Sequence, residues 1–315
     1  MPDILTITLN PAVDLATSAE HVVAGPKLYC KNPRVDPGGG GVNVARAICK
    51  LGGDALALVA VGGAMGGNLL QLLAAEGVPV APVSVSGETR QSFAVTDESN
   101  GAQYRFSVPG QTLNSAEGAQ ILARITEVTV TDGFVVLSGG VAPGLGDDFA
   151  QRIQTAIAAK TDRLIVDTSK SALDHLLTSS HDPVLVLRMD RKEAAKAAQH
   201  PVETVEDCLS FAQGLVTRGV ARIVVIGFGA KGSAMATQNG RFFCQAPDVP
   251  VRSTIGAGDA FVGSLTLALS RGDSPETALK WGVAAASATV GTDGTALCDL
   301  ETTKSWLPAC HIEAV

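Results

Sequence analysis

Aromatic residues are scarce in this 315-residue chain: 9 Phe, 2 Tyr and 2 Trp. The core must therefore be built from Val, Leu, Ile and Ala. Charged residues are also few, 17% against 46% hydrophobic, with a mean hydropathy of +0.24, and this excludes a disordered chain. The net charge is −7 and no Lys/Arg run offsets it. That argues against a nucleic-acid surface and leaves room for a local basic pocket. No apolar stretch reaches the roughly 18–20 residues needed to span a bilayer. The start, MPDILTITLNP, lacks the basic region and apolar core of a signal peptide. The six cysteines (Cys30, Cys49, Cys208, Cys244, Cys298, Cys310) show no CxxC spacing and the five His no HxxxH spacing. Zinc ligation is disfavoured, and reduced thiols in a cytoplasmic protein are expected.

Short apolar runs recur along the chain: 4–9, 55–61, 134–137, 164–166, 184–187 and 223–226. Helical patterns over 43–51, 68–76, 147–160, 205–218 and 281–290 separate several of them. Strands apolar on both faces and alternating with helices predict a parallel sheet covered on both sides. Ligands are then expected beyond the carboxyl ends of the strands. Residues 12–35 and 88–108 break the rhythm with extended patterns such as Ser92-Phe93-Ala94-Val95 and Gln103-Tyr104-Arg105-Phe106. They predict a few strands forming a small lid, with one apolar face that favours pairing with a second copy.

Glycine is abundant, and two clusters of it matter. The stretch STIGAGDAFVG (253–263) crosses a turn of small residues into an apolar helix. Gly256, Ala257 and Gly258 permit close approach of a ligand. The first amides of the following helix form a seat for an anion, most plausibly phosphate. Asp in a first helical turn is common, yet a carboxylate beside a phosphate is unfavourable unless it has a task. For Asp259 the task is taking a proton from a hydroxyl that attacks the phosphate. The second cluster, PGGGGVNVARA (37–47), also enters a helix. Four consecutive glycines are entropically expensive to order. Asn43 has the chemistry to cap that helix and to donate to a ligand hydroxyl. Neither a Walker A ending nor a dinucleotide fingerprint is present.

With both motifs and the lid, the chain resembles the PfkB (ribokinase-like) carbohydrate kinases, in the branch that phosphorylates hexose phosphates. PGGGGVNVARAICKLGG and STIGAGDAFVGSLTLAL match the two family signatures. TLNPAVD, GPKLYC, GETRQSFAV and QYRFSVPGQTLN match that branch, most closely the minor-type 6-phosphofructokinases. The similarity runs from about Thr6 to Leu297. It implies a ribokinase-like three-layer α/β/α sandwich with a mostly parallel central sheet and a small β-strand lid. The whole of 1–315 would be one kinase domain, with the lid at about 12–35 and 88–108.

The implied activity is ATP-dependent conversion of fructose 6-phosphate to fructose 1,6-bisphosphate. 1-Phosphofructokinase and tagatose-6-phosphate kinase are alternatives within the class, and a catalytically weak sugar-phosphate or nucleotide sensor is the alternative outside it. By the resemblance, Asp259 is the general base and Gly256, Ala257 and Gly258 form the anion hole. Asp14, Gly39, Gly40, Asn43 and Gly140 line the sugar. Arg90 suits its phosphate, with Lys27 as a second cation. Arg188, Asp190, Gly227, Gly229, Gly232, Val283 and Ser287 fall to the nucleotide. Mg²⁺ would accompany ATP, with Glu193 reaching it through water. A monovalent cation, K⁺, would sit near Ser253, Ile255, Thr289, Thr292 and Gly294. The implied partners are ATP, a phosphorylated hexose and a second copy meeting at the lid, with no nucleic acid and no membrane.

Three departures from the pattern stand out. Asp190 replaces the amide of the family's Asn-x-x-Glu, here Asp190-Arg191-Lys192-Glu193, and is expected to pair with Arg188 and alter nucleotide or metal affinity. Arg188 itself stands where close relatives carry Lys. Gly140 replaces a Ser, removing one sugar hydrogen bond of about 0.5–1.5 kcal/mol. Ala230 stands for Pro in the loop at 227–232.

Overall fold

Five-residue β1, Ile4–Thr8, is buried throughout. Its side chains alternate between two cores, Leu5 and Ile7 in one and Ile4 in the other. That double burial makes β1 a central strand with helices on both faces. The computed structural model describes residues 2–315.

From β1 the chain leaves the main sheet for β2 (Ala12–Ala19) and β3 (Arg34–Gly38), then enters α1 (Gly40–Lys50). It returns through β4 (Leu56–Val61), α2 (Gly63–Ala75) and β5 (Val80–Ser84), and leaves again for β6 (Arg90–Asp97) and β7 (Gln103–Ser107). Next come α3 (Ser115–Val128), β8 (Phe134–Ser138), α4 (Phe149–Ile157), β9 (Leu164–Asp167), α5 (Lys170–Thr178) and β10 (Val184–Asp190). α6 (Arg191–Ala198), α7 (Val205–Thr217) and β11 (Ala221–Gly227) lead to a hairpin, β12 (Gly232–Thr237) and β13 (Gly240–Gln245). α8 (Ala257–Ser270), α9 (Pro275–Val290), α10 (Leu300–Trp306) and β14 (His311–Ala314) complete the order.

Ten strands form one sheet, β14-β13-β12-β11-β10-β9-β8-β1-β4-β5. It is parallel from β11 to β5, while β12, β13 and β14 pair antiparallel at one edge. One apolar core lies beneath α3, α4, α5 and α7, the other beneath α1, α8 and α9. The result is three layers. Burying a Leu, Ile or Val contributes about 1.5–3 kcal/mol, so this core of aliphatic side chains compensates for the few aromatics. Among the described residues no helix is long and apolar enough to cross a membrane, and all six cysteines are free.

The second sheet, β3-β2-β6-β7, has two chemically distinct faces. Along one cross-strand row stand Asp36, Asp14, Ser92 and Ser107. One residue further along stands the row Val35, Leu15, Phe93 and Phe106. Because side chains alternate along a strand, the first row makes a polar face and the second an apolar one. Phe106 is 57% exposed, and Val35, Phe93, Tyr104 and Val108 are exposed with it. Residues 20–33, between β2 and β3, are irregular and hold no strand.

Helix starts differ from the sequence expectations. α1 begins at Gly40 with Gly39 as its cap, at φ 114°. Asn43 therefore lies inside the helix and caps nothing. α2 begins at Gly63 instead of residue 68, because glycines there accept the turn that joins β4 to it. α9 extends back to Pro275, capped by the Ser274 side chain.

Candidate active site

The polyglycine turn is a packing device. A Cβ on Gly39 would lie 2.6 Å from Thr8 Cγ2, and one on Gly40 would lie 2.5 Å from Ser138 Oγ and 2.6 Å from the Gly139 nitrogen. A Cβ on Gly41 would strike the Ile7 carbonyl. Only glycine lets the start of α1 sit against the carboxyl ends of β1 and β8. That contact brings Asn43 into reach of α8.

Asp259 lies in the first turn of α8, after Gly256 at φ 76°. Asn43 Nδ2 donates to its Oδ2 at 2.9 Å, and Ser138 Oγ is a distant donor to Oδ1 at 3.5 Å. Burial is the main force on its acidity and the neighbouring Asp167 carboxylate adds to it; together they push its pKa up to about 7, against the pull of Asn43, Arg188 and Ser138. A carboxyl poised there is suited to taking a proton near neutral pH. The amides of Ala257 and Gly258 begin the helix without intrahelical partners, on the same turn.

Arg188 closes the other side. Its guanidinium nitrogens would lie 3.1 and 3.2 Å from a Cβ on Gly258, so the cation covers the turn. Nη1 pairs with Asp167 Oδ1 at 3.2 Å. Burial disfavours the cation, but Asp167, Glu193 and Asp259 outweigh that and hold its pKa above the ordinary value.

Beside this point opens a cleft of about 690 Å³. Arg188, Asp190, Gly227, Gly229, Gly232, Ala257, Gly258, Val283 and Ser287 all line it. The size suits a nucleotide. The Ser287 hydroxyl is turned back onto the Val283 carbonyl at 2.9 Å.

Asp14 stands on the polar face of the second sheet, so near Gly38 that a Cβ there would overlap its carboxylate. Burial pushes its pKa up to about 6, opposed by Arg90 and Arg46 and assisted by Asp36. Arg90 opens β6, where Nη1 donates to Ser92 Oγ and to Ser107 Oγ, both at 3.0 Å, and Nε donates to Asn10 Oδ1 at 3.2 Å. Burial lowers its pKa and Asp14 opposes the change. A cation, a carboxylate and hydroxyls thus share one face.

The chain's family follows from comparison with known proteins. The model of the pfkB family carbohydrate kinases matches residues 7–303. This chain belongs to the pfkB family. The ATP-dependent 6-phosphofructokinase isozyme 2 of Mycobacterium tuberculosis (strain H37Rv) is 37% identical over 298 residues, 95% of this chain and 87% of that protein. The isozyme 2 enzyme of Escherichia coli K12 is 37% identical over 304 residues, 96% of this chain and 97% of that protein. The crystal structure of phosphofructokinase-2 from Escherichia coli in complex with potassium superposes with a TM-score of 0.92 at 36% identity, covering 98% and 99% of the two chains. The fold is ribokinase-like.

Against the family pattern, the departure at Asp190 has a structural explanation. Asp190 does not pair with Arg188, whose partner is Asp167. Its Oδ1 instead accepts from the Glu193 amide at 2.8 Å while Glu193 Oε2 accepts from the Asp190 amide at 2.8 Å. This capping box needs only an acceptor oxygen at the N-cap, where Asp and Asn serve about equally. The Asn-x-x-Glu motif is here the start of α6. Gly140 is exposed and a Cβ on it would meet nothing within 4 Å, so sterics do not exclude the usual serine. Lys27 is the one residue among those expected at the sugar that stands apart. It is exposed in the irregular 20–33 segment with Nζ over the Tyr29 ring, 5.2 Å from its centroid.

For the expected cation site, Ser253 Oγ donates to the Gly294 carbonyl at 2.7 Å and accepts from the Ile255 amide at 3.2 Å. Thr292 Oγ1 donates to the Thr289 carbonyl at 2.7 Å. The first of these bonds brings the loop before α8 and the loop after α9 together. The Thr289 hydroxyl is already spent, donating to the Ala285 carbonyl and accepting from the Cys298 amide.

Asp36, Arg46, Ser138, Asp167 and Thr295 were not singled out from sequence. Ser138, Asp167 and Thr295 meet side chains 121, 21 and 259 positions away, so no local spacing marks them. Arg46 alone carried a signal: an arginine three residues after Asn43 on a helix otherwise of Val, Ala and Ile.

Proposed function

We propose that this chain phosphorylates fructose 6-phosphate with ATP, giving fructose 1,6-bisphosphate. The observation that carries the reading is the setting of Asp259: a buried carboxylate in the first turn of α8, held by Asn43 of α1, two residues after Ala257 and next to Gly258, both of which line the large cleft. Asp259 receives the proton of the attacking sugar hydroxyl. The amides of Gly256, Ala257 and Gly258, with Arg188 beside them, face the charge on the transferring phosphoryl group. Asp14, Gly39, Gly40 and Asn43 line the sugar, and Arg90 holds its phosphate. Gly140 leaves the wall beyond β8 open. Arg188, Asp190, Gly227, Gly229, Gly232, Val283 and Ser287 take the nucleotide.

Mg²⁺ fits this site as a companion of ATP. Glu193 is held above the ordinary carboxylate pKa by burial and by its neighbours Asp190 and Asp167, a crowding that a divalent cation relieves. Among the described residues no three His, Cys, Asp or Glu form a metal cage, so Glu193 acts through water. When bound, the ion neutralises the charge of the phosphates. K⁺ would sit between the loops of Ser253 and Ile255 and of Thr289, Thr292 and Gly294, as the potassium complex of the Escherichia coli relative suggests. Exposed Phe93, Tyr104 and Phe106 on the apolar face of the small sheet support a homodimer joined through the lid.

A coupled ADP-release assay over fructose 6-phosphate, fructose 1-phosphate, tagatose 6-phosphate and free sugars tests the reading. Highest kcat/KM with fructose 6-phosphate supports it. A preference for fructose 1-phosphate or tagatose 6-phosphate replaces the substrate, and ligand binding without turnover on any sugar would favour a sensor.

A further inference from the structure

Among the described residues Arg46 is the largest fully buried side chain, 1% exposed, and it lies on α1. Four hydrogen bonds and one longer ion-pair contact hold its guanidinium. Nε and Nη2 grip the Glu76 carboxylate at 2.9 and 2.6 Å. Nη1 donates to the Pro37 carbonyl and to Asn43 Oδ1, each at 3.0 Å, and Nη2 lies 3.5 Å from Asp36 Oδ1. Asp36 also takes hydrogen bonds from Arg34 and from the Thr295 hydroxyl.

One of these bonds has a chemical consequence. An amide has a donor end and an acceptor end, and a guanidinium only donates. With Arg46 on one side, Asn43 must present its oxygen there and its NH₂ to Asp259. The flipped amide would set donors against the guanidinium and an oxygen against the Asp259 carboxylate. We propose that Arg46 is the positioning residue that fixes the orientation of Asn43 and, through it, of Asp259, tying the base to lid strand β3. Two of its acceptors, Asp36 and the Pro37 carbonyl, belong to β3, and Glu76 ends α2. Where β3 lies against α1 therefore sets how Asp259 is held.

The inference rests on Asp259 acting as the base. Asp259 is faced by Asn43 from α1, Ser138 from β8, Asp167 from β9 and Arg188 from β10, and of these Asn43 is the closest donor. Losing its bond removes a favourable contact to the ionised form, so the acid limb of kcat/KM moves to higher pH by about one unit. The test uses Arg46→Lys, which retains the buried cation, and the double variant Arg46→Gln/Glu76→Gln, which removes charge from both partners and leaves Asp36 its bonds from Arg34 and Thr295. Thermal melts establish the folded fraction. In folded protein, both should shift the limb upward and lower kcat/KM at pH 7 about fivefold. Asn43→Ala should do the same, and adding it to either Arg46 variant should cost little more. An unmoved limb in folded variants, or activity that merely tracks the folded fraction, overturns the inference. Failure of the base assignment is separate: it would appear as normal turnover in Asp259→Asn.

Discussion

The raised pKa of Asp259 makes the pH profile the most demanding test of the site. With a pKa of about 7 in the free enzyme, the fraction of base form is about one-eleventh at pH 6 and about ten-elevenths at pH 8. kcat/KM should therefore rise about tenfold across that interval. An unperturbed aspartate, at about 3.9, would give no change there. The assay is initial ADP release at subsaturating sugar phosphate, with the coupling enzymes in excess at every pH. A control is needed for the sugar's own phosphate, which changes ionisation near pH 6, and inhibitor competition with a nonreacting analogue supplies it. Replacing Asp259 by Asn should lower turnover by ~10²–10⁴ and abolish the limb. The same raised pKa makes a stability statement. The protonated carboxyl is the favoured folded form, so its contribution is full below about 3.8 and is lost as pH rises through about 7. Asp259→Asn should therefore melt above the parent at pH 8, with the difference shrinking towards pH 4. A flat rate profile together with a melting difference independent of pH would refute the placement of Asp259 as a buried base.

Three further outcomes are expected. Arg90→Ala should raise KM for a phosphorylated hexose by at least about tenfold, in line with ~1.5–3 kcal/mol for a charged hydrogen bond, and leave KM for ATP unchanged; steady-state kinetics in both substrates decides this. Asp190→Asn should be nearly neutral in melting while Asp190→Ala costs about 1 kcal/mol, as for a lost N-cap, and equal destabilisation by both would contradict the capping box. Phe106→Lys should shift the protein to a lower oligomeric state in sedimentation velocity, and an unchanged state would show that the apolar row is not the contact.

Much of the frame was legible in sequence because it is local. The doubly buried runs at 134–137, 184–187 and 223–226 lie on β8, β10 and β11, since continuous apolar segments of that length fit a covered parallel sheet. The glycine-rich entry to α8 located Asp259 for the same reason. The antiparallel edge was not read, although Asn239-Gly240, at the turn into β13, is a hairpin signal. The expected pairing of Asp190 with Arg188 gives way to an N-cap that the sequence did signal, through Glu193 three residues on. Asp36 and Thr295 escaped altogether. Asp36 and Thr295 are 259 positions apart, and no window of sequence contains both.

The two rows of the small sheet share four backbones. Asp14 and Leu15 are adjacent on one strand, as are Ser92 and Phe93 on another. A twist imposed on the outer row by a neighbour must therefore rotate the inner row as well, because the peptide units between them are rigid. On the proposed reading, contact between copies and sugar recognition share a single pleat, and dilution of the protein should be felt in its affinity for the hexose before it is felt in its affinity for the nucleotide.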